Sequence, residues 1–368
     1  MYKRLFRSNR NQRKLFIKYF SISFTALSLL VISGTIGIIR LGNNIRPPEV
    51  PRFSPPPIHA NSILDPTWGE IISLTKISTE EDFFEIPDPR TPEGWERKPN
   101  FFTILVMGLD GGVNANVIMI GAFDNEAQQA YIISIPRDTR VDAQRNRRKI
   151  VSAYPVGMLN GGGHEGGVER MKQEVQTLIG FRPDYYVMVD FDAFIQIVDA
   201  FGGVEIDVPF HMRYDDPYQD LHIDIPAGLQ MLDGKNALHF ARFRRANRGF
   251  QQITDYQRIE NQQIVINALL QELLTPRTLL QVPGMIRAYR DYVSTDLSVG
   301  EKIWFARQLP NFRDASALST YTLPTAGTSG APAWYEFPCE AGILELVNRT
   351  VNPFKQDITA DMLRIISS

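Results

Sequence analysis

The chain has 368 residues, 43% hydrophobic and 22% charged, with 24 Pro and one Cys. That composition excludes a disordered chain, a collagen and a disulfide scaffold, and the single Cys339 excludes an internal disulfide or a cysteine-cluster metal site. The net charge of −2 hides an uneven distribution: residues 1–18 carry seven Lys and Arg and no acid, which leaves −9 for everything after them.

Residues 19–39 contain no charged side chain. As a helix they extend ~32 Å, enough to cross a hydrocarbon core of ~30 Å. The run exceeds the ~7–15 apolar residues of a secretory signal, so an uncleaved anchor is expected. The basic residues before it place the N-terminus in the cytoplasm and the bulk of the chain outside, as a single-pass protein of the cell membrane. Residues 46–57 hold six prolines, an extended spacer. With the mixed, acidic residues up to 98, it makes a Pro-rich spacer and stalk over 40–98.

From residue 99 the pattern is globular. Residues 101–108, 117–123 and 130–135 read as buried strands, the last two joined by a polar turn. Residues 166–179 carry Val168, Met171, Val175, Leu178 and Ile179 at helical spacing, with Gly180 as cap and Pro183 as a stop. A strand at 185–189, a helix at 191–201 ended by two glycines, a strand at 204–208, a short helix at 232–240 and a long helix at 255–274 follow. Strands alternating with helices predict an α/β protein, a three-layer α/β/α sandwich around a central mixed sheet. Residues 276–368 read as a mainly helical extension packed on the domain, with one strand-like run at 319–323.

The outer part is acidic, yet arginine gathers in it. Six bases lie between Arg137 and Lys149, and four between Arg242 and Arg248. Arg137 directly follows a buried strand, the position where α/β sheets bind ligands. Arg242 and Arg244 alternate about Phe243, which would put them on one face of an extended segment. The planar guanidinium suits phosphate oxygens, so an anionic, phosphate-bearing ligand is expected. Asp110, closing the first strand, has the chemistry to hold a hard cation against phosphate, or to cap a turn. The glycine-rich NGGGHEGG loop lacks P-loop spacing and reads as a turn or lid. The five histidines form no close cluster, which argues against a zinc site, and Ser134 is not in an esterase elbow.

In order, TILVMGLD, ANVIMI, AYIISIPRDTRV, KIVSAY, GGGHEGGVERM, DYYVMVDFDAF, VDAFGGVEIDVP, AGLQMLDGKNALHFARFRR and DYQRIENQQ resemble the LytR-CpsA-Psr (LCP) family of membrane-anchored bacterial envelope enzymes. The resemblance spans about residues 99–275. It implies a layered α/β/α domain that holds a polyprenyl chain. It also implies transfer of a glycopolymer from a polyprenyl-pyrophosphate carrier to a peptidoglycan acceptor, with Mg²⁺ as cofactor and no nucleic-acid partner. By motif match, Arg137, Arg242, Arg244 and Arg258 would clamp phosphate, and Asp255 would orient an arginine or serve as base. Lys149, Gln262 and Asp138 would line the substrate, and Asp110 and Asn116 would stand at the metal. Two positions depart from the family pattern. Asn116 replaces a second carboxylate, which lowers the expected Mg²⁺ affinity, and Asn261 replaces a second arginine. Two alternatives use the same residues: a pyrophosphatase with water as acceptor, and a non-catalytic scaffold that binds polyprenyl phosphate or glycopolymer.

Overall fold

The structure is a computed structural model. It describes residues 47–48, 92, 94–110, 114–143, 145, 148–216, 221–273, 293–312, 317–329 and 334–366. The expected span at 19–39 and nearly all of the spacer lie outside the described residues.

The chain divides into two compact units. One groups Ser298–Arg307 with Met1–Glu49; the other is Val50–Leu297 with Gln308–Ser368. In the second unit, β1 (Phe101–Leu109), β2 (Ala115–Asp124) and β3 (Gln129–Ser134) form an antiparallel meander. Added to it are β4 (Tyr185–Val189), parallel to β1, and β9 (Val293–Thr295), antiparallel to β4. Strand β10 (Leu318–Thr322) lies parallel to β3. The result is a six-stranded mixed sheet in the order β10-β3-β2-β1-β4-β9. The α/β class and central mixed sheet are those expected from the alternation of strands and helices.

Strand alternation gives the sheet two different faces. Leu105, Met107, Ile118, Ile120 and Ile133 are fully buried on one face. They pack against α1 (Ala153–Gly157), α2 (Gly163–Ile179) and α7 (Glu340–Thr350). The whole predicted apolar stripe of α2 lies in this core. Gly180, in the left-handed region at φ 81°, ends that helix, a conformation that only glycine adopts at little cost. At Gly157 a Cβ would stand 2.2 Å from the Gly166 carbonyl oxygen, so the close crossing of α1 and α2 requires glycine. On the opposite face Ile104, Val106, Ile132 and Val187 remain partly accessible.

A second core is built by α3 (Phe191–Phe201), β5 (Val204–Val208), β6 (Met212–Asp216), β7 (Leu221–Ile225), β8 (Gly228–Leu232), α4 (Gly234–Arg242) and α5 (Asp255–Leu273). Its strands form two separate antiparallel pairs, β5-β8 and β6-β7. Asp190 and Asp233 cap α3 and α4 by accepting from the Ala193 and Asn236 amides, both at 2.8 Å. Helix α5 meets the sheet through Gln263, whose amide donates to Ser134 Oγ at 3.1 Å and to the Tyr321 carbonyl at 3.0 Å.

Residues 293–366 differ from the expected helical run. Besides α6 (Val299–Gln308) and α7, they hold β9, β10, β11 (Thr325–Ser329) and β12 (Tyr335–Pro338). Strand β10 is the strand-like run expected at 319–323; β9, β11 and β12 are three to five residues long and carry too little alternation to register in sequence. The stretch 94–98 is also docked. Arg97 pairs with the buried Asp184 at 2.7 Å, and the Lys98 amide donates to the Pro353 carbonyl at 2.8 Å.

Candidate functional site

The SIPRDT segment leaves the sheet at Ser134. Pro136 cannot donate to a ladder, and the chain turns there: the Thr139 amide and hydroxyl both donate to the Pro136 carbonyl, at 3.0 and 2.6 Å. The resulting loop is held between two backbones. On one side the Val151 amide donates to the Arg137 carbonyl at 3.1 Å, and the Ile150 amide to the Thr139 carbonyl at 3.0 Å. On the other, the Arg140 amide donates to the Glu336 carbonyl at 2.8 Å, and the Glu336 amide to the Asp138 carbonyl at 3.1 Å. Arg137 thus stands on a braced loop. Its neighbour Asp138 is bound by Lys149 Nζ at 2.7 Å and lies 3.9 Å from Arg137 Nε. Arg145, in the same basic stretch, forms an ion pair with the buried Glu174 of α2, a structural role.

At the mouth of β1, Asn116 joins the predicted metal residue to the predicted clamp. Its Nδ2 donates to Asp110 Oδ2 at 2.8 Å, and its Oδ1 accepts from Arg137 Nη1 at 3.0 Å. The amide therefore presents a proton, not an oxygen, to Asp110. Among the described residues no group of three or more His, Cys, Asp or Glu converges as metal ligands. The donor set is one carboxylate, which suits only a cation that takes its other oxygens from water and substrate phosphates.

Arg258 and Gln262, one helical turn apart on α5, line a cleft together with Asn116, Arg137 and Asp138. The cleft encloses about 350 Å³, counting the part open to solvent. Asp255 is the first residue of α5. Arg242 closes α4, half-buried, with its guanidinium 4.3 Å from the centre of the Phe191 ring. Burial pulls its pKa below the usual arginine range, and the Asp110 carboxylate acts in the opposite direction. Arg242 thus belongs to the same electrostatic neighbourhood as Asp110. Arg244 is exposed. It does not share a face with Arg242, because Arg242 ends a helix and only the buried Phe243 begins the extended backbone. Asn261 is buried and donates to the Phe240 carbonyl at 3.3 Å. It supports the end of α4 instead of facing the cleft.

A profile of the LytR_cpsA_psr family matches residues 78–350. The chain belongs to that family. It is 26% identical over 271 residues to the polyisoprenyl-teichoic acid–peptidoglycan teichoic acid transferase TagV of Bacillus subtilis (strain 168), a match covering 70% of this chain and 64% of TagV. It is 29% identical over 202 residues to the regulatory protein MsrR of Staphylococcus aureus, covering 53% of this chain and 56% of MsrR. The matched stretch thus spans between about half and two thirds of these curated relatives. The fold is that of the crystal structure of B. subtilis TagV, with a TM-score of 0.55 at 22% identity over 69% of this chain and 96% of that one. TagT bound to LIIa-WTA has a TM-score of 0.54 at 18% identity, over 74% and 96%.

For this LytR_cpsA_psr member, sequence reasoning missed one cleft residue and its hydrogen-bond partner. Glu336 on β12 is buried and lines the cleft, and Tyr256 on α5 donates to Glu336 Oε2 at 2.8 Å. Burial, and then the Glu336 carboxylate, raise the Tyr256 pKa. Tyr256 stands inside the DYQRIENQQ motif and was within reach of inspection. Glu336 has no local signal, because some 200 residues separate it from Arg137. The glycine-rich loop is a turn between α1 and α2, with Gly161 and Gly163 at positive φ. Its His164 joins Tyr154, Tyr186 and Ser294 in a hydrogen-bond network of 2.8–3.2 Å, and no member of that network lines the cleft.

Proposed function

We propose that this chain is a membrane-anchored glycopolymer phosphotransferase. It moves a glycopolymer from a polyprenyl-pyrophosphate carrier to a hydroxyl of peptidoglycan. The carrying observation is one cleft that gathers Arg137, Arg258 and Gln262 next to the Asp110–Asn116–Arg137 chain, in a family that includes a relative named as a teichoic acid transferase. The half-accessible apolar side chains Ile104, Val106, Ile132 and Val187 suit the polyprenyl tail, at ~0.8 kcal/mol per buried CH₂.

In this reading the acceptor oxygen bonds to the phosphorus nearest the glycan, and the bond from that phosphorus to the polyprenyl-phosphate oxygen breaks. Such transfer depends mainly on positioning and neutralisation of charge. Arg137, Arg242, Arg244 and Arg258 neutralise the phosphates. Lys149 holds Asp138, and through it the clamp loop. Gln262 donates to phosphate oxygen. Asp255 begins α5 three residues ahead of Arg258, the spacing at which helical neighbours meet. Asp110, with Asn116 beside it, is the place for Mg²⁺, which supplies charge neutralisation at the phosphates when bound. Residues 1–18 form a cytoplasmic tail, 19–39 the anchor, 40–98 the spacer, 99–275 the catalytic domain and 276–368 its extension. This arrangement keeps the site close to a carrier that stays in the membrane. The Asn116 amide turned toward Asp110 favours a second reading, a non-catalytic binder of polyprenyl phosphate or glycopolymer.

The test is consumption of a synthetic polyprenyl-pyrophosphate disaccharide, with Mg²⁺, by the full chain with and without a peptidoglycan acceptor. Acceptor-dependent turnover that falls ~10²–10³-fold in Arg137→Ala is expected for loss of one transition-state donor. Turnover equal with and without acceptor would indicate a pyrophosphatase. Lipid binding with no turnover would leave the scaffold.

A further inference from the structure

The transfer releases a proton from the acceptor hydroxyl, and the clamp residues do not account for its destination. Arg137, Arg258 and Gln262 have no basic site to offer. Asp110, hydrogen-bonded by Asn116, is not among the residues lining the cleft, and Asp138 is ion-paired with Lys149. One other carboxylate lines the cleft, that of Glu336.

Its placement is specific. Strand β12 alternates: Tyr335 and Phe337 face Arg140, whose guanidinium carbon lies 4.9 and 5.8 Å from their ring centres. Glu336 therefore points the other way, to the cleft. Its backbone is tied to the clamp loop on both sides, through the Asp138 carbonyl and the Arg140 amide, so the carboxylate moves with Arg137. The residue is 3% exposed. Its Oε2 accepts from the Tyr256 hydroxyl, which also lies 3.0 Å from Thr325 Oγ1. The carboxylate is held by Tyr256 of α5 and its backbone by the clamp loop, as a catalytic group requires. The charged groups that share its cleft are Arg137, Asp138 and Arg258, and Tyr256 is a titratable group that touches it.

We propose that Glu336 is a further catalytic residue of the transfer, the general base that accepts the proton of the attacking hydroxyl. This rests on the transferase reading. As the acceptor oxygen bonds to phosphorus, its proton passes to the Glu336 carboxylate. The electron pair of the breaking P–O bond leaves with polyprenyl phosphate. Glu336 later returns the proton to solvent.

The experiment uses the purified full chain, the same polyprenyl-pyrophosphate disaccharide, a peptidoglycan fragment and a pH series. Glu336→Gln should lower kcat by ~10²–10⁴-fold, the usual contribution of a positioned base. KM and binding of the lipid substrate should stay within about threefold, and the fall in rate at low pH should vanish. Glu336→Asp should recover part of the rate. Tyr256→Phe keeps the carboxylate and removes a hydroxyl that favours its ionised form, so the acid limb should move to higher pH. This variant decides the matter if Glu336→Gln does not fold, and an unchanged profile in it overturns the proposal. So does Glu336→Gln acting at the wild-type rate, or losing lipid binding in step with rate. If Asp255→Asn abolishes the acid limb and Glu336→Gln does not, the base is Asp255. Wild-type protein that binds the lipid without turnover refutes the transferase reading, and this proposal with it. An active wild type with an unaffected Glu336→Gln refutes the proposal alone.

Discussion

Asn116→Asp restores the second carboxylate that the family pattern places at the site, and the geometry sets its consequence. The amide proton now aimed at Asp110 from 2.8 Å becomes an oxygen. Two carboxylates at that separation repel by roughly 6 kcal/mol at an effective dielectric of ~20. The new charge gains roughly 5.5 kcal/mol at Arg137 by the same law, across the existing 3.0 Å contact. The lost amide–carboxylate bond costs about 2 kcal/mol. The variant should therefore be about 2.5 kcal/mol less stable without metal, which lowers Tm by about 5–10 °C for a domain of this size. Mg²⁺ between the two carboxylates removes the repulsion. At a hundredfold excess over its Kd it returns about 2.7 kcal/mol. The assay is thermal unfolding in EDTA and in Mg²⁺. Wild-type Tm should change by less than about 2 °C on adding Mg²⁺, while the variant recovers most of its loss. A variant as stable as wild type in EDTA, or an equal Mg²⁺ shift in both, would refute the placement of Asn116 as a bridge between Asp110 and Arg137.

Asp184 offers a second test. It accepts from Arg97 at 2.7 Å, and from the Thr103 amide and hydroxyl at 2.9 and 2.8 Å, while buried. Asp184→Ala leaves those donors unmet and should cost about 3–5 kcal/mol in urea unfolding; a loss under about 1 kcal/mol would contradict the role given to the pair. A third concerns pH. Burial lowers the pKa of His164 below its ordinary 6.5, against a smaller opposing effect of Glu165. The unfolded chain therefore binds more protons than the fold in the window just under pH 6.5. Stability should fall as pH drops through that window and level off below the folded pKa. His164→Asn should flatten part of the slope. His239, also lowered mainly by burial, should supply the remainder, and an unchanged slope in His164→Asn would refute the assignment.

Much of the fold was legible because its signals are local. Leu105, Ile120 and Ile133 sit in uninterrupted apolar runs, and the α2 stripe repeats at helical spacing. Gly180 and Gly202 end their helices in the left-handed region. Arg137 was legible because it follows a buried strand directly. One edge strand, β10, showed as the strand-like run at 319–323; the other, β9, did not, because its three residues gain their identity from pairing with β4, a partner more than 100 residues away. Glu336 is the same case within the site, since nothing near it in sequence marks its approach to Arg137. Asn261 and Arg244 show the converse. Asn261 stands where the family pattern has an arginine, yet it supports the end of α4, and Arg244 is exposed and not on the face of Arg242, because motif order does not fix which way a side chain points.

The measurement closest to the central claim is the identity of the product. After incubation of full chain, labelled polyprenyl-pyrophosphate disaccharide and peptidoglycan fragment, mass spectrometry should find the disaccharide joined to the fragment through a single phosphate, with one polyprenyl phosphate released per bond formed. Free disaccharide phosphate as the sole product, or intact carrier recovered bound to the protein, would contradict the assignment of this cleft as a transferase site.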